Sequence, residues 1–206
     1  GRAWTAHERL GGVLVDRPDC FSEASERLTC VARGTDALAY SYRWDGARWN
    51  GWTPIGQSGR LLQPPSCAVG SRGLLVCAGL SLARNLMLVR QRAGGDFPAW
   101  VSDLQQLVYR VAPVCTVGGT IARHISCFVV DDRGHMLQFL DSPGPEVLVL
   151  HQDYKGELTS EPSCRPVETA WLPPGYTDRR FQRDTYCFAN GAASGLRWEK
   201  AISDPP

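Results

Sequence analysis

The tripeptide Pro-x-Cys occurs four times in this 206-residue chain, at nearly equal intervals. Its cysteines are 47, 48 and 49 residues apart, at positions Cys20, Cys67, Cys115 and Cys164. A fixed period of this length is typical of repeat architectures, in which one supersecondary unit recurs along the chain. The fold must therefore accommodate four similar units of about 48 residues each.

Tryptophan follows the same period. Trp4, Trp52 and Trp100 are 48 residues apart, and Leu148 takes the next position. Each unit reads as four short apolar segments separated by turns rich in Gly, Asp, Ser and Pro, without an amphipathic helix of three turns. Because these tryptophans recur with the unit, core packing explains them best.

Four-stranded units of about 48 residues match the blades of a β-propeller. We therefore predict an all-β, single-domain, four-bladed β-propeller over residues 1–206, with four antiparallel strands in each blade. Trp4 follows Leu196 by 14 residues if counting continues from Pro206 to Gly1, and Trp52 follows Leu38 by the same interval. The N-terminal strand is therefore expected to complete the fourth blade and close the ring. The approximate blades are 15–56, 57–104, 105–152, and 153–206 with 1–12 as its outer strand.

Each Pro-x-Cys cysteine has a second cysteine 10, 10, 12 or 23 residues later. Cysteines ten apart, with a polar turn between them, can face each other across an antiparallel hairpin at a separation that suits a disulfide. Eight cysteines therefore predict a secreted or extracellular protein, and buried free thiols in a cytoplasmic protein are the alternative. The predicted pairs are Cys20–Cys30, Cys67–Cys77, Cys115–Cys127 and Cys164–Cys187.

Several classes of function find no support in the chain. The net charge of +1 argues against nucleic acid as a partner. The sequence also lacks an apolar run of about 18 residues, so we expect no membrane insertion. The close C-x-x-C pairs of a zinc site are missing and the four histidines are scattered, so we expect no metal. We also expect no cofactor, because the sequence contains neither a P-loop nor a Rossmann glycine fingerprint.

The segment RLTCVARGTDALAYSYRWDGARWNGWTPIG (27–56) resembles the repeat of bacterial and fungal propeller lectins typified by the Photorhabdus fucose-binding lectin. This resemblance implies a non-catalytic protein that binds glycans or glycoproteins in shallow clefts between blades. An aromatic face there stacks on a sugar ring, and polar groups hold its hydroxyls. Trp44 and Trp49 lack counterparts in the other units, so core packing explains them less well, and exposed aromatic residues of a turn are the alternative to ligand contact. The ligand-binding residues implied are Arg33, Asp36, Tyr42, Arg43, Trp44, Trp49 and, from the neighbouring blade, Arg90.

The fourth unit carries an insertion between its two cysteines, RPVETAWLPPGYTDRRFQRDTY. Long loops in compact domains are often functional, and aromatic and arginine side chains suit a protein interface. A secreted effector, inhibitor or accessory domain that binds a protein partner here is the alternative function. Carboxylates in the same loop leave a small propeller glycoside hydrolase as a further alternative. The candidate partner-binding residues are Trp171, Tyr176, Arg179 and Arg180.

Overall fold

A computed structural model shows a chain built from β-strands and turns. Within the residues it describes there are fifteen strands and no helix, so these residues contain no membrane-spanning helix. The described residues are 9–24, 26–70, 73–93, 95–102, 107–118, 124–141, 148–155, 157–160, 162–171, 180–191 and 195–201.

The strands form four antiparallel sheets, and strands that are consecutive in the chain are neighbours in each sheet. Sheet 1 contains β1 (Asp19–Ala24), β2 (Arg27–Arg33), β3 (Ala39–Trp44) and β4 (Trp49–Pro54). Sheet 2 contains β5 (Ser66–Val69), β6 (Leu75–Leu80), β7 (Leu86–Arg90) and β8 (Val101–Ser102). Sheet 3 contains β9 (Val114–Gly118), β10 (His124–Val130), β11 (Met136–Asp141) and β12 (Leu148–Tyr154). Sheet 4 contains β13 (Ser163–Trp171), β14 (Arg180–Gly191) and β15 (Gly195–Ala201).

The Pro-x-Cys motif marks the start of the first strand in every sheet. β1, β5, β9 and β13 each begin at the residue directly after the proline. Proline lacks the N–H that a ladder needs, so it is tolerated best at the start of a strand or on an edge strand. In each sheet the motif cysteine lies directly opposite the second cysteine, with Cα atoms 4.0–4.1 Å apart. All four disulfides have the pairing predicted from the spacing.

The same backbone connections recur from unit to unit. The residue six positions before each motif cysteine forms an isolated bridge with the residue four positions after the second cysteine. Hydrogen bonds then link consecutive units, since Leu61 N donates to Ala37 O over 2.8 Å and Tyr109 N donates to Arg84 O over 3.0 Å. Leu158 N makes the equivalent bond to Gly134 O over 2.9 Å. The sequence period therefore reflects a structural period.

Among the described residues, three apolar clusters lie between consecutive sheets. One joins sheets 1 and 2 through residues such as Val31 and Val89, and a second joins sheets 2 and 3 through residues such as Leu88 and Phe139. The third joins sheets 3 and 4 and includes the Cys164–Cys187 disulfide. Sheets therefore pack face to face in chain order, and each buries its apolar residues against the next.

The first strands of the sheets converge on one cavity. β5 lies against both β1 and β9, and β9 lies against β13. The cavity has a volume of about 710 Å³ and receives residues from all four Pro-x-Cys segments. Its lining residues are Asp16, Arg17, Pro18, Asp19, Gln63, Pro64, Pro65, Ser66, Ala112, Pro113, Val114, Pro162 and Ser163.

The recurring tryptophans pack against the segment that precedes their own sheet. Trp52 Nε1 donates to Gly11 O over 3.0 Å, and Trp100 Nε1 donates to Ile55 O over 2.7 Å. This placement confirms a structural role for both side chains. Trp4 and the strand expected to close the ring lie outside the described residues, so sheet 4 has three described strands.

The insertion of the fourth unit lengthens one hairpin. β13 and β14 pair without a break from Ser163 opposite Phe188 to Trp171 opposite Arg180. The pairing extends seven positions beyond the Cys164–Cys187 disulfide. The insertion therefore forms a two-stranded ribbon, which the other three sheets lack in the part of the chain described.

Candidate functional site

The sugar-binding candidates on the β3–β4 hairpin lie on two opposite faces of sheet 1. Successive side chains of a strand point to opposite faces, so Tyr42 and Trp44 share one face and Arg43 lies on the other. The rings of Tyr42 and Trp44 both contact that of Trp49. Arg43 and these aromatic residues therefore lie on opposite surfaces of the sheet and cannot line the same cleft.

Four aromatic rings form what we call the aromatic face of sheet 1: Tyr42, Trp44, Trp49 and Trp52. The ring centroids of Tyr42 lie 5.1 Å from Trp49 and 4.9 Å from Trp52, and those of Trp44 and Trp49 are 5.7 Å apart. Tilted pairs at these distances are favourable beyond the area they bury. Tyr42 is buried and the three indoles are half-buried. In sheet 2 the corresponding face packs against the preceding sheet.

Arg43 lines a cleft of about 380 Å³ between sheets 1 and 2. Its guanidinium carbon lies 6.0 Å from the ring centroid of Phe97, at the outer end of a cation–π contact. We call this space the Arg43 cleft, and its volume falls in the usual range for small-molecule sites, roughly 300–1,000 Å³. The described lining residues are Ser41, Arg43, Thr53, Pro54, Gly56, Gln57, Gly95, Asp96 and Phe97.

The wall of the Arg43 cleft combines donors, acceptors and an apolar ring. The hydroxyl oxygens of Ser41 and Thr53 are 3.5 Å apart, and Thr53 Oγ1 donates to Ser41 O over 3.2 Å. Asp96 Oδ2 accepts a bond from Arg92 Nη1 over 3.3 Å on the exposed side. A guanidinium, a carboxylate, hydroxyls and an amide placed around apolar surface can bind a ligand that carries several hydroxyl groups.

Phe97 and Asp96 were missed from the sequence, although a signal existed for Phe97. Phe97 precedes Trp100 by three residues, as Trp49 precedes Trp52. The expectation that Trp49 has no aromatic counterpart was therefore wrong. Phe97 packs in the apolar cluster between sheets 1 and 2. It does so because the outer segments of sheet 2 fold over the face of sheet 1 that lies opposite the aromatic face.

Three other candidates lie away from the Arg43 cleft. Arg33 links units: its Nε donates to Asp16 Oδ2 over 2.7 Å, and its Nη1 donates to the carbonyls of Leu61 and Leu62. Arg90 has the register position of Arg43 in sheet 2, on the face opposite that of Val89, and so points away from sheet 1. Asp36 lies in the exposed turn after β2. The structure does not bring these three side chains together with Arg43.

The Asp36 carboxylate stabilises its own turn. Oδ2 accepts a hydrogen bond from the Tyr40 hydroxyl over 2.7 Å and Oδ1 accepts one from Leu38 N over 3.0 Å. The bond from Tyr40, followed by that from Leu38, lowers the pKa of Asp36, and the same carboxylate raises the pKa of Tyr40. Since the folded state lowers this carboxyl pKa, its contribution to stability is present above the unfolded-state pKa. That contribution is lost as pH falls through the folded-state pKa.

Replacing Tyr40 by phenylalanine is expected to move the pKa of Asp36 back towards its ordinary value, because the main bond to the charged form is removed. Carboxyl-carbon NMR titration of the wild type and Tyr40→Phe measures this shift. Asp45 is an internal control, since backbone amides of Arg48 and Ala47 lower its pKa and remain in the variant. An unchanged Asp36 titration would contradict the assignment.

The candidates on the insertion cannot be placed as side chains. Tyr176 and Arg179 lie outside the described residues, and Trp171 and Arg180 are described only through the backbone of the ribbon. Among the side chains that are described, no three of the His, Cys, Asp and Glu type gather as a metal site.

The fold resembles that of solved structures of AofleA from Arthrobotrys oligospora, whereas no protein-family model and no curated protein matches the chain. The AofleA structure has a TM-score of 0.57 at 12% identity, over 90% of this chain and 54% of AofleA. A variant with three arginines replaced by alanine has a TM-score of 0.57 at 11% identity, over 89% and 53%. This chain thus spans about half the length of the AofleA chains. At such identities the likeness shows a similar fold.

Proposed function

We propose that the four sheets are the blades of a four-bladed β-propeller, and that the protein binds carbohydrate in the Arg43 cleft without transforming it. The recurring bridges, the apolar clusters between consecutive sheets and the convergence of four first strands on one cavity support the ring. In this proposal the blades keep the predicted ranges 15–56, 57–104, 105–152 and 153–206, and residues 1–12 complete the fourth. Four disulfides fit secretion into an oxidising environment.

The composition of the Arg43 cleft carries the carbohydrate proposal. Sugars present hydroxyl groups around an apolar C–H face, and the cleft offers Arg43 and Asp96 near the Phe97 ring. The resemblance of residues 27–56 to the propeller lectin repeat supports the same class of ligand. Glycans and glycoproteins are therefore the proposed partners.

Arg43→Ala is expected to weaken glycan binding about tenfold or more, because it removes a charged hydrogen-bond donor from the cleft. Labelled wild-type protein and the variant would be compared on a broad glycan array, with affinities then measured by calorimetry. Arg48→Ala is the matched control, since Arg48 lies on the same hairpin with a side chain 82% exposed and outside the cleft. It should bind as the wild type does.

The aromatic face supplies the opposing test. If the double variant Trp44→Ala/Trp49→Ala abolishes binding while Arg43→Ala has no effect, the sugar site lies on the aromatic face of sheet 1. A blank array with correctly folded protein would overturn carbohydrate binding altogether. Release of shortened glycan from the array would contradict the non-catalytic part of the proposal and favour a hydrolase.

The ribbon of sheet 4 favours a second candidate function, docking of a protein partner. Seven paired positions extend the hairpin of sheet 4 beyond the Cys164–Cys187 disulfide, and the ribbon carries the insertion with its aromatic and arginine residues. A glycoprotein ligand distinguishes the two proposals, because enzymatic removal of its glycans abolishes binding through the Arg43 cleft. Binding that survives deglycosylation but is lost when residues 166–185 are replaced by a short turn would assign the interaction to the ribbon.

A further inference from the structure

The four Pro-x-Cys segments do more than start strands, because all four line the open cavity on which the first strands converge. Its volume of about 710 Å³ is nearly twice that of the Arg43 cleft. The two spaces share no described lining residue. The cavity is therefore a separate candidate site, and its chemistry can be derived from the residues that surround it.

The cavity wall is poor in backbone donors. Five of its thirteen described lining residues are proline, which carries no N–H. Against this background the Oε1 atom of Gln63 is buried and has no hydrogen-bond partner among the described residues. An acceptor buried without a donor is unfavourable, so turning the Gln63 amide towards a ligand O–H or N–H in the cavity would satisfy it. The proline residues are Pro18, Pro64, Pro65, Pro113 and Pro162.

The charges around the cavity balance. Arg33 holds the Asp16 carboxylate from outside the lining with a 2.7 Å ion pair. Asp19 and Arg17 contribute one further charge of each sign. Counted together with Arg33, these groups carry no net charge with which to select an ion, and the described residues contain no cluster that could hold a metal.

Hydroxyl groups add to the polar part of the wall. Ser66 Oγ accepts a bond from Cys115 N over 2.9 Å, which fixes its position between sheets 2 and 3 and leaves its O–H able to donate. Ser163 lines the cavity from sheet 4. The proline rings, Ala112 and Val114 supply apolar surface between these groups.

We propose that this axial cavity binds a small neutral polyol, such as an inositol or a free monosaccharide, whose hydroxyls donate to Gln63 Oε1 and Asp19 and whose C–H face packs on the proline rings. The site is independent of glycan binding in the Arg43 cleft. It gives the Pro-x-Cys repeat a ligand-binding role in addition to its structural one.

The test uses the full chain carrying Arg43→Ala, so that a sugar bound in the Arg43 cleft does not contribute. Glycerol, myo-inositol and methyl hexosides are titrated while the side-chain amide signal of Gln63 is followed by NMR, assigned by its loss in Gln63→Leu. At least one of these polyols should shift the signal saturably. Calorimetry should show about tenfold weaker binding in Gln63→Leu, since one buried hydrogen bond is lost.

Asp19→Asn is the second variant, because Asp19 is exposed and its replacement leaves the buried wall intact. It should also weaken polyol binding while the Gln63 signal stays observable. Ethanolamine and putrescine are the opposing probes: if these amines bind and no polyol does, the proposed ligand class is wrong. If no probe moves the Gln63 signal, the cavity holds only water and the proposal is overturned.

Discussion

Replacing Trp100 by alanine is expected to lower the free energy of unfolding by about 3–5 kcal/mol, the usual cost of deleting a large buried aromatic side chain. The indole is 7% exposed and belongs to the apolar cluster between sheets 1 and 2. Its Nε1 donates to Ile55 O over 2.7 Å, so the variant also leaves a buried carbonyl without its donor. Denaturant unfolding followed by circular dichroism measures the loss.

Gly59 provides the matched test of how Trp100 packs. A Cβ atom at position 59 would overlap the Cδ1 and Cγ atoms of the Trp100 ring. Gly59→Ala should therefore destabilise the wild type by about 1–3 kcal/mol, as over-packing does. In the Trp100→Ala background the same change should cost less, because the two closest ring atoms are gone and only the Cβ atom of residue 100, at 2.9 Å, remains near. Additive effects would show that the indole does not cover Gly59 in solution.

Removing the Cys67–Cys77 disulfide by replacing both cysteines with alanine is expected to cost about 2–3 kcal/mol from the chain-entropy term for a loop of this length. A further loss should come from packing, since both cysteines are buried in the cluster between sheets 1 and 2. The total loss should therefore exceed the entropic value. Denaturant unfolding of the double variant under non-reducing conditions measures it.

Cys20→Ala/Cys30→Ala is the control for this experiment. Both disulfides span ten residues, so their entropic terms are equal. Cys20, however, is exposed where Cys67 is buried, so the control pair should lose less packing and cost less in total. An equal or larger loss from the Cys20 pair would contradict this prediction and would show that another part of the chain covers Cys20 in solution.

Local spacing was sufficient to predict much of this architecture. The interval between the cysteines of a unit sets which residues face each other across a hairpin, and proline directly before a strand marks where that strand begins. Both properties depend on a few neighbouring residues, so all four disulfides and the starts of β1, β5, β9 and β13 could be predicted. The packing of Trp52 and Trp100 could be predicted from their period, because residues that recur with the repeat occupy equivalent positions in each unit.

The binding surfaces depend instead on how one sheet packs on the next. The resemblance to the lectin repeat grouped Arg43 with Trp44 and Trp49, yet strand alternation separates them onto two faces. Asp96 and Phe97 join Arg43 only because sheet 2 folds over sheet 1, about 50 residues away in sequence. The cavity lined by the Pro-x-Cys segments likewise requires residues from all four sheets. Contacts between sheets are set by packing over long separations, and a single sequence contains no spacing that specifies them.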